Sequence, residues 1–369
     1  MRPLSPICSR VSRIPPVTTS QPAMSAPTER LAPYAHLHTN PAGPGDDRPI
    51  ALQIVKDEGL INAWGEKVVL VTGASAGIGL ETARALHATG ATIYLGVRSV
   101  SKGEATKASI EADSPGHGAI HILELALDNL ASVRKAAAAF LDQSQRLDVL
   151  VNNAGVTGTT FEKTVDGFEF QFGINHLGHF LLTSLLLPAL KATARPGNAA
   201  RVINVASAAH NLYCDGQIDL TDLDWSRRGY DGMKAYGASK TANILHANHL
   251  DRLYGADPAH PVHALSVHPG AIMTAMAKGS REDVQEIFKL YHSMFKSPEQ
   301  GAATTVWCAV AQALEGKGGL YCEDCAEAEP APVVDGQMRK DCGYAPWAKG
   351  DHETEVKLWE LSEKLVGLR

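Results

Sequence analysis

The sequence predicts an α/β fold in which a doubly wound parallel sheet is covered by helices on both faces. Three observations lead to this prediction. Short, β-branched, apolar runs alternate with longer amphipathic segments between residues 67 and 320, a glycine-rich turn follows the first run, and polar motifs follow the later ones. Strand and helix alternation of this kind produces right-handed crossovers and places a ligand crevice at the carboxyl ends of the strands.

Seven runs have the length and composition of strands that are buried on both faces. They are Val68–Val71, Thr92–Val97, Ile120–Leu125, Asp148–Asn152, Arg201–Val205, Val262–Val267 and Gly319–Cys322. Amphipathic segments between these runs predict helices. Examples are Leu130–Gln143, Phe170–Leu190, Ala238–Tyr254 and Glu299–Leu314. Residues 67–369 are therefore predicted to form a single domain.

The first predicted strand leads directly into the segment Thr72-Gly-Ala-Ser-Ala-Gly-Ile-Gly79. A glycine-rich turn before a helix N-terminus lets the backbone approach a pyrophosphate, whose charge is stabilised by free N–H groups and the helix dipole. The spacing is G-x-x-x-G-x-G and not the commoner G-x-G-x-x-G. The turn predicts a Rossmann-type dinucleotide site whose cofactor-binding residues are Gly73, Ser75, Gly77, Ile78 and Gly79.

Tyr236 and Lys240 lie four residues apart in a segment that is predicted to be helical. Residues at this spacing share a helix face, so the ammonium group is expected near the phenol. Its positive charge favours the phenolate and is expected to lower the pKa of Tyr236 from the reference value of about 10. Such a phenol can donate or accept a proton near neutral pH, as the interconversion of a carbonyl and an alcohol requires.

Further motifs follow in a fixed order: Asn152-Asn-Ala-Gly155, Asn175, Ser207, Tyr236-x-x-x-Lys240, and His268-Pro-Gly270 with Thr274. Together with the glycine turn they resemble the short-chain dehydrogenase/reductase family, from about Gly65 to the C-terminus. Segments 173–180, 205–210 and 239–245 are similar to the retinol-dehydrogenase-like branch, as is the long interval between Ser207 and Tyr236. The resemblance implies a nicotinamide-dependent oxidoreductase.

The resemblance also implies a catalytic role for four residues. Tyr236 would pass a proton to or from the substrate oxygen while hydride moves between the nicotinamide and the carbonyl carbon. Lys240 would hold down the tyrosine pKa and bind the nicotinamide ribose, and Ser207 would polarise the substrate oxygen by a hydrogen bond. Asn175 would face Lys240 and hold, through its amide, a water that connects the lysine to solvent. Residues implied to line the cofactor are Asn152, Gly155, Tyr236, Lys240 and Thr274.

Charge at the end of the second predicted strand favours NADP (NADPH) over NAD. A NAD site usually has an acidic residue there, about 20 residues beyond the glycine turn, that holds the ribose hydroxyls. Here Arg98 and Lys102 occupy this stretch, so no carboxylate repels a 2′-phosphate and Arg98 offers it a forked set of donors. Family members usually have an aspartate after the third strand for the adenine amino group. Ala126 stands at that position, so that either Asp128 takes over this contact or the contact is lost.

Composition indicates a small-molecule substrate. A net charge of −6, with no basic stretch beyond the N-terminus, argues against nucleic acid as a partner. The substrate pocket is predicted from segments Ala208–Ala235 and Ala271–Lys296, and its apolar lining suits a lipophilic ketone, aldehyde or alcohol. Their apolar side chains are Leu212, Tyr213, Met233, Met273, Met276, Ile287, Phe288, Leu290 and Phe295. Association into a homo-oligomer is left open.

Two other functions remain open at this point. An NADP-sensing or scaffold protein on the same fold usually lacks the tyrosine or the lysine, and this chain has both. An epimerase or dehydratase among the extended relatives usually shows G-x-x-G-x-x-G. The spacing of Gly73, Gly77 and Gly79 counts against that class.

No metal site is predicted. Cys322-x-x-Cys325 lacks the second cysteine pair of a zinc site. His176 with His179, and His246 with His249, lie at i and i+3 in two predicted helices, but no carboxylate stands at ligand spacing. These histidines are expected to be packed or solvated side chains.

Residues 1–66 are the part that the resemblance does not explain. Residues 1–30 are predicted to be a disordered or targeting tail, because the first 27 carry arginine, serine, threonine and proline but no acidic residue. Residues 31–66 are predicted to be an extension with a short amphipathic helix formed by Leu52, Ile54, Val55, Leu60 and Ile61. No run approaches the ~18 apolar residues of a membrane span. Six cysteines without a paired framework indicate a reducing compartment, so a cytoplasmic location is expected, with mitochondrial import as the alternative.

Overall fold

The computed structural model describes residues 30–158, 160–214, 218–272, 290–334 and 337–369. Its strands are short and mostly apolar, as the sequence predicts. In chain order they are β1 Val68–Thr72, β2 Thr92–Val97, β3 Ile120–Glu124, β4 Val149–Asn152, β5 Ala200–Val205, β6 Val262–His268, β7 Ala271–Ile272, β8 Phe295–Lys296, β9 Leu320–Glu323, β10 Ala326–Glu327, β11 Val333–Val334 and β12 Gln337–Met338.

The central sheet has the strand order β10-β9-β6-β5-β4-β1-β2-β3. Neighbouring strands are parallel except β10, which runs antiparallel to β9 at one edge. The strand β1 is central, because Val69 pairs with Ile93 of β2 and with Val149 of β4. The chain order reverses between β1 and β4, and a parallel sheet opens its ligand crevice at such a point. The predicted doubly wound parallel sheet is confirmed.

Helices cover both faces of this sheet. In chain order they are α1 Ala51–Asp57, α2 Gly77–His87, α3 Val100–Asp113, α4 Leu130–Gln143, α5 Phe170–Phe172, α6 His179–Thr193, α7 Ala209–Leu212, α8 Gly232–Tyr254, α9 Pro298–Gly301, α10 Ala303–Val310 and α11 His352–Leu365. A π-helix, Gly173–Gly178, joins α5 to α6, so that one helix continues from Phe170 to Thr193.

Alternate residues of the strands enter two separate cores. In β1, Val69 and Val71 pack with α1, α2 and α10, whereas Val68 and Leu70 pack with α4, α6, α8 and α11. This alternation is the period of two that any strand imposes on its side chains. Because both faces are covered, every residue of β1 is apolar or, at Thr72, hydrogen-bonded and buried.

Three helices differ from their predicted bounds. The segment predicted as Phe170–Leu190 continues to Thr193 and contains the π-helix. The segment predicted as Ala238–Tyr254 begins earlier, at Gly232, because the Asp231 carboxylate accepts the free N–H groups of Met233 and Lys234. The segment predicted as one helix over Glu299–Leu314 is divided into α9, α10 and a 3₁₀ turn at Gln312–Leu314. The division after α10 follows from the non-helical backbone of Ala311, with φ −59° and ψ 124°.

The N-terminal extension belongs to the same compact unit as the sheet, Leu31–Arg369. Ile54 and Val55 of α1 are 0% exposed and pack in the core that also contains Trp307 of α10. The helix α1 lies in the segment for which a short amphipathic helix is expected. It ends at Asp57 and not at Ile61, because Gly59 adopts a positive φ of 67° and closes the helix. The tail predicted for residues 1–30 lies, apart from its last residue, outside the described residues.

A cluster around Arg48 fixes the extension to the segment just before α9. Arg48 is 5% exposed and its Nε donates to Asp46 Oδ1 at 2.8 Å. The same guanidinium donates to the carbonyl oxygens of Ser293 and Phe295. The Gln300 amide of α9 in turn donates to both Asp46 Oδ1 and the Arg48 carbonyl. We refer to Asp46, Arg48 and Gln300 as the Arg48 clamp.

In the part of the chain that the structure describes, one helix has the length and apolar composition that a membrane crossing would need. It is Phe170–Thr193, and 78% of its most apolar window is buried inside the protein. Its apolar side chains are therefore used in the core against β4, β5 and α4.

Candidate active site

The turn after β1 is shaped by three glycines, each for its own reason. Gly73 has φ 66°, and a Cβ there would lie 2.8 Å from the Ala154 backbone. A Cβ at Gly79 would lie 2.4 Å from the Gly73 carbonyl oxygen. Gly77 has φ 55° but faces open space, since a Cβ there would meet no atom within 4 Å. The turn is thus closely packed against backbone atoms at Gly73 and Gly79 and open at Gly77.

The helix α2 begins at this turn without a side-chain cap, because its N-cap residue is Ala76. The helices α3, α4 and α8 are capped by Ser99, Asn129 and Asp231 respectively. The first N–H groups of α2 therefore stay available beside the open face of Gly77, and the helix dipole favours an anion there. This cradle fits the pyrophosphate of a nicotinamide dinucleotide.

Hydrogen bonds between Thr72, at the start of the glycine turn, and Asn153 and Ala154 join the turn to the segment after β4. Thr72 Oγ1 accepts the N–H groups of Asn153 at 2.9 Å and Ala154 at 3.0 Å. Asn153 Nδ2 donates back to the Thr72 carbonyl at 2.8 Å. The ends of β1 and β4 are thereby held in a fixed relation on either side of the chain reversal.

Asn152 does not face this crevice with its side chain, contrary to the expectation that it lines the cofactor. It is 2% exposed, and its Nδ2 donates to Thr183 Oγ1 and to Asn204 Oδ1, both at 2.9 Å. The reason is the alternation of β4, which turns Asn152 toward α6, whereas Asn153 reaches the glycine turn. Asn152 can contribute to the crevice only through its backbone.

Asn175 lies in the π-helix and is completely buried. Its Oδ1 accepts from the Val156 N–H at 2.8 Å, and its Nδ2 donates to the Val156 carbonyl and to Ser239 Oγ, both at 2.9 Å. Both amide protons are therefore engaged in holding the loop after β4 and the helix α8. The predicted water contact is limited to the second lone pair of Oδ1.

Lys240 and Asn175 both lie next to Gly155 in the segment after β4. A Cβ at Gly155 would lie 3.3 Å from Lys240 Nζ and 3.4 Å from Asn175 Oδ1, so a larger residue there would be in close contact with both groups. Lys240 is 2% exposed, and its Nζ donates to the Val205 carbonyl at the end of β5 at 2.9 Å. Burial lowers the pKa of Lys240 to about 8.

Tyr236 and Ser207 are brought together by the close approach of α7 and α8. Gly237 permits this approach, because a Cβ there would lie 2.8 Å from the Ala209 carbonyl oxygen. Burial raises the pKa of Tyr236, and a hydrogen bond with the Ser207 side chain acts in the opposite direction. Lys240 Nζ lies 5.5 Å from the centre of the Tyr236 ring. The expectation that Lys240 lowers this pKa is therefore not met, because desolvation of the phenol is the larger effect.

The cationic residues after β2 are on the surface. Arg98 and Lys102 are exposed, and neither side chain forms an ion pair within the described residues. Ser99 Oγ accepts from the Lys102 N–H at 3.4 Å and so keeps the start of α3 next to Arg98. After β3, Asp128 is half-buried beside the half-buried Ala126. Ser75 and Ile78 of the glycine turn are also half-buried.

Several predicted residues lie outside the described part of the chain. Thr274 is one of them, and so are Met273, Met276, Ile287 and Phe288 of the predicted substrate pocket. Leu212, Tyr213 and Leu290 are exposed and Met233 is half-buried. Phe295 differs from the expectation, since it is 9% exposed and its backbone is held by Arg48.

The buried His210 and the half-buried His268 support the site, although the sequence pattern assigns neither of them a role. His210 Nδ1 lies 2.7 Å from the Ser207 carbonyl, and its Nε2 accepts from the Ala345 N–H at 3.2 Å. His268 Nδ1 accepts from the Ala208 N–H at 3.2 Å. Burial lowers the pKa of both histidines to about 4, so both are neutral hydrogen-bonding groups at physiological pH. The sequence could have indicated these two histidines only by their position next to motifs, because His210 lies three residues after Ser207 and His268 directly precedes Pro269-Gly270.

Comparison with known proteins gives one consistent result. A family model described as short chain dehydrogenase matches residues 67–218. The chain is 42% identical over 346 residues to the oxidoreductase calI of Penicillium decumbens, an alignment covering 91% of this chain and 97% of that protein. It is 39% identical over 304 residues to retinol dehydrogenase 12 of Mus musculus, covering 82% and 87% respectively.

A solved structure, the RhlG/NADP active-site complex of Pseudomonas aeruginosa, matches with a TM-score of 0.56 and 26% identity. The match covers 70% of this chain and 94% of that one. In all three proteins the similarity extends over most of the relative's own length.

Proposed function

The chain belongs to the short-chain dehydrogenase/reductase family, and on that premise we propose that it is an NADP-dependent oxidoreductase acting on a lipophilic ketone, aldehyde or alcohol. The observation that carries this proposal is that Tyr236 lies beside Ser207, whose side chain acts to lower the pKa of the phenol, with the buried Lys240 Nζ 5.5 Å from the centre of the tyrosine ring. Two hydroxyl groups and one ammonium group at the end of a parallel sheet are suited to proton transfer at a carbonyl oxygen.

Each of these residues has a role that its chemistry permits. The Tyr236 and Ser207 hydroxyls together offer two hydrogen bonds to one substrate oxygen. Burial keeps the proton on Tyr236 at neutral pH, which suits donation to the oxygen during reduction. Lys240 supplies the charge that stabilises the phenolate once the proton has left. The nicotinamide, when bound, supplies or accepts the hydride.

The preference for NADP rests on charge. Arg98 and Lys102 are exposed at the end of β2 and carry no internal ion pair among the described residues, so both are available to a 2′-phosphate. Arg98 can bind a phosphate through two parallel N–H groups. The RhlG structure contains NADP, which is consistent with this preference.

A lipophilic substrate is supported by two observations. Relatives along most of the chain include retinol dehydrogenases, whose named substrate is an apolar alcohol. The segment between Ser207 and Tyr236 presents Leu212 and Tyr213 at 39% and 37% exposure, next to the close approach of α7 and α8. Apolar side chains of this kind are what a lipophilic ligand would cover.

The test is a screen of carbonyl and alcohol compounds in which NADPH oxidation or NADP reduction is followed by absorbance, with Tyr236→Phe as the matched inactive variant. We expect turnover by the wild type and its loss in Tyr236→Phe, because the substitution deletes the transferable proton and keeps the ring. NADPH affinity, measured by titration, should be nearly unchanged. Full activity of Tyr236→Phe would refute the acid/base role. Tight NADPH binding without turnover of any compound would favour a sensing or scaffold protein.

A further inference from the structure

His179 lies between the glycine turn and Asn175 and touches both. It is the first residue of α6, directly after the π-helix, and it is 2% exposed. Its Nδ1 lies 3.1 Å from the Asn175 carbonyl oxygen, and its Nε2 lies 2.8 Å from Thr72 Oγ1. In the sequence His179 stands out only as a conceivable metal ligand, so its contacts come from the folded chain alone.

The hydrogen-bond partners determine which ring nitrogen carries the proton. A carbonyl oxygen can only accept, so Nδ1 must donate to Asn175. Thr72 Oγ1 already accepts the N–H groups of Asn153 and Ala154, so its own proton is free to be donated. It goes to Nε2 at 2.8 Å in preference to the Val151 carbonyl at 3.4 Å, because the shorter contact is the stronger hydrogen bond. The imidazole is therefore neutral, with the proton on Nδ1.

The π-helix explains why the Asn175 carbonyl is open to a side chain. In a regular α-helix the N–H of residue 179 would donate to the carbonyl of residue 175. Here the His179 N–H donates to the His176 carbonyl, and the imidazole reaches the Asn175 carbonyl in its place. The wider turn of the π-helix places the Asn175 amide against Val156 and Ser239. It also leaves the Asn175 carbonyl without the usual N–H donor, and the His179 ring takes that place.

From these contacts we propose that His179 is a positioning residue that links the cofactor turn to the proposed catalytic tyrosine. The link runs from Thr72 Oγ1 through the imidazole to Asn175, whose Nδ2 donates to Ser239 Oγ. Ser239 Oγ donates in turn to the Tyr236 carbonyl at 2.8 Å. The ends of β1, the π-helix and α8 are held in one register by this chain of buried hydrogen bonds.

The charges around His179 support a permanently neutral ring. Burial lowers the pKa of His179 to about 4, and the nearby Lys240 charge acts in the same direction, whereas the bond to Asn175 acts against it. His176 and His246, the other imidazoles near it, also have pKa values lowered chiefly by burial, and among the described residues no carboxylate contributes to the pKa shift of any of the three rings. The link therefore persists through the range in which the enzyme would work.

The first test needs no turnover. Nuclear magnetic resonance of the full chain carrying isotope-labelled histidine distinguishes the two neutral tautomers and the charged ring. The signal of His179 is assigned by its loss in His179→Asn. We expect a neutral ring with the proton on Nδ1 between about pH 6 and about pH 9. A proton on Nε2, or a ring that gains charge near pH 6.5 as an exposed histidine does, would overturn the proposal.

The second test separates the two halves of the link. Asn at position 179 can still donate to the Asn175 carbonyl, Gln can still accept from Thr72, and Leu can do neither. Since small misplacements of reacting groups cost about a hundredfold, we expect His179→Leu to lower kcat by about ten- to a hundredfold with KM within about threefold. We expect His179→Asn to recover most of kcat and His179→Gln less.

His176→Leu is the matched control, because His176 is equally buried in the same continuous helix but bonds Ser362 of α11. It should lower the melting temperature without changing kcat selectively. If His179→Leu merely matches His176→Leu in both readouts, the positioning role is refuted.

The kinetic test rests on the proposed function, whereas the tautomer does not. Absence of wild-type turnover would count against the proposed function alone, and the tautomer measurement would still decide the assignment of His179.

Discussion

At the scale of single residues, desolvation controls the ionisation of the site more than the pairing of opposite charges does. Tyr236 has its pKa raised and Lys240 has its pKa lowered, because burial disfavours the charged form of each. The spacing of the two residues predicts the contact but not which effect is larger. That balance depends on how completely α7, α8 and the loop after β4 enclose the pair.

This balance predicts how the reaction depends on pH. A raised pKa keeps Tyr236 protonated, so kcat/KM for carbonyl reduction should not fall through loss of the Tyr236 proton between about pH 6 and about pH 8, and that loss is expected only above the tyrosine reference near 10. Alcohol oxidation needs the phenolate and should rise over the same interval. Initial rates in both directions across this interval measure the effect. Loss of reductase activity with an apparent pKa well below 8 would mean that the Lys240 charge affects the pKa of Tyr236 more strongly than burial of the phenol does.

A second residue-scale prediction concerns Arg98. Arg98→Glu places a carboxylate where a 2′-phosphate is expected, so the ratio of NADP to NAD affinity should fall by about a hundredfold, through lost attraction and added repulsion. Fluorescence titration with both reduced cofactors measures the ratio. Lys107→Glu is the control, because it changes the net charge of the protein by the same amount as Arg98→Glu. Lys107 lies on α3, where it pairs with Glu111 on the surface. Tighter binding of NAD than of NADP by the wild type would show the charge argument to be wrong.

At the scale of elements, the N-terminal extension has a specific task, which is to hold the segment that leads into α9. The Arg48 clamp satisfies the carbonyl oxygens of Ser293 and Phe295, beside the pairing of Phe295 with Ala271 in the small β7–β8 sheet. Burial acts to raise the pKa of Asp46, but hydrogen bonds from Arg48 and from backbone N–H groups outweigh it and hold that pKa below its usual range. The ion pair therefore stabilises the fold at neutral pH and loses this contribution as the pH falls toward the unfolded value of about 4 and below it.

We predict that Arg48→Met lowers the free energy of unfolding by about 3 kcal/mol, because it leaves the half-buried Asp46 without its charged partner and several carbonyl groups without a donor. A loss of this size lowers the melting temperature by several degrees in a domain of this length, as measured by calorimetry at pH 7. Asp47→Asn is the control, since Asp47 lies outside the clamp. The difference between Arg48→Met and wild type should shrink below about pH 4, and an unchanged difference there would contradict the ion-pair explanation.

At the scale of the whole molecule, the extension is part of the core and not an appendage. Ala51, Ile54 and Val55 of α1 are at most 2% exposed and lie in the core that β1, β2 and α10 share. A chain beginning at Met24 should keep the melting temperature and activity of the full chain. A chain beginning at Trp64 should be much less stable, because it exposes the apolar surface that α1 covers, at roughly 2 kcal/mol for each large side chain.

A point substitution checks the same conclusion without truncation. Ile54→Ala should cost about 2–5 kcal/mol by leaving a cavity, whereas Ile61→Ala, at 37% exposure, should cost little. Chemical denaturation of both variants measures the difference. Equal stability of the Met24 and Trp64 chains would show that residues 24–63 are dispensable.

The sequence was sufficient for those features that depend on neighbouring residues. The apolar runs predicted the central strands to within one residue at each end, and most of the helix that holds Tyr236 and Lys240 followed from local periodicity. The glycine turn was also predictable, because Gly73 and Gly77 occupy positive-φ positions that glycine adopts at low cost.

Features that depend on distant partners required the folded chain. The Asn152 side chain donates to Thr183 and Asn204, and the Asn175 amide donates to Val156 and Ser239. The Arg48 guanidinium donates to a carbonyl group 245 residues away in the sequence. The sequence around a polar residue does not predict which distant group becomes its hydrogen-bond partner. A buried donor or acceptor must be satisfied, and several distant partners could do so equally well until packing selects one of them.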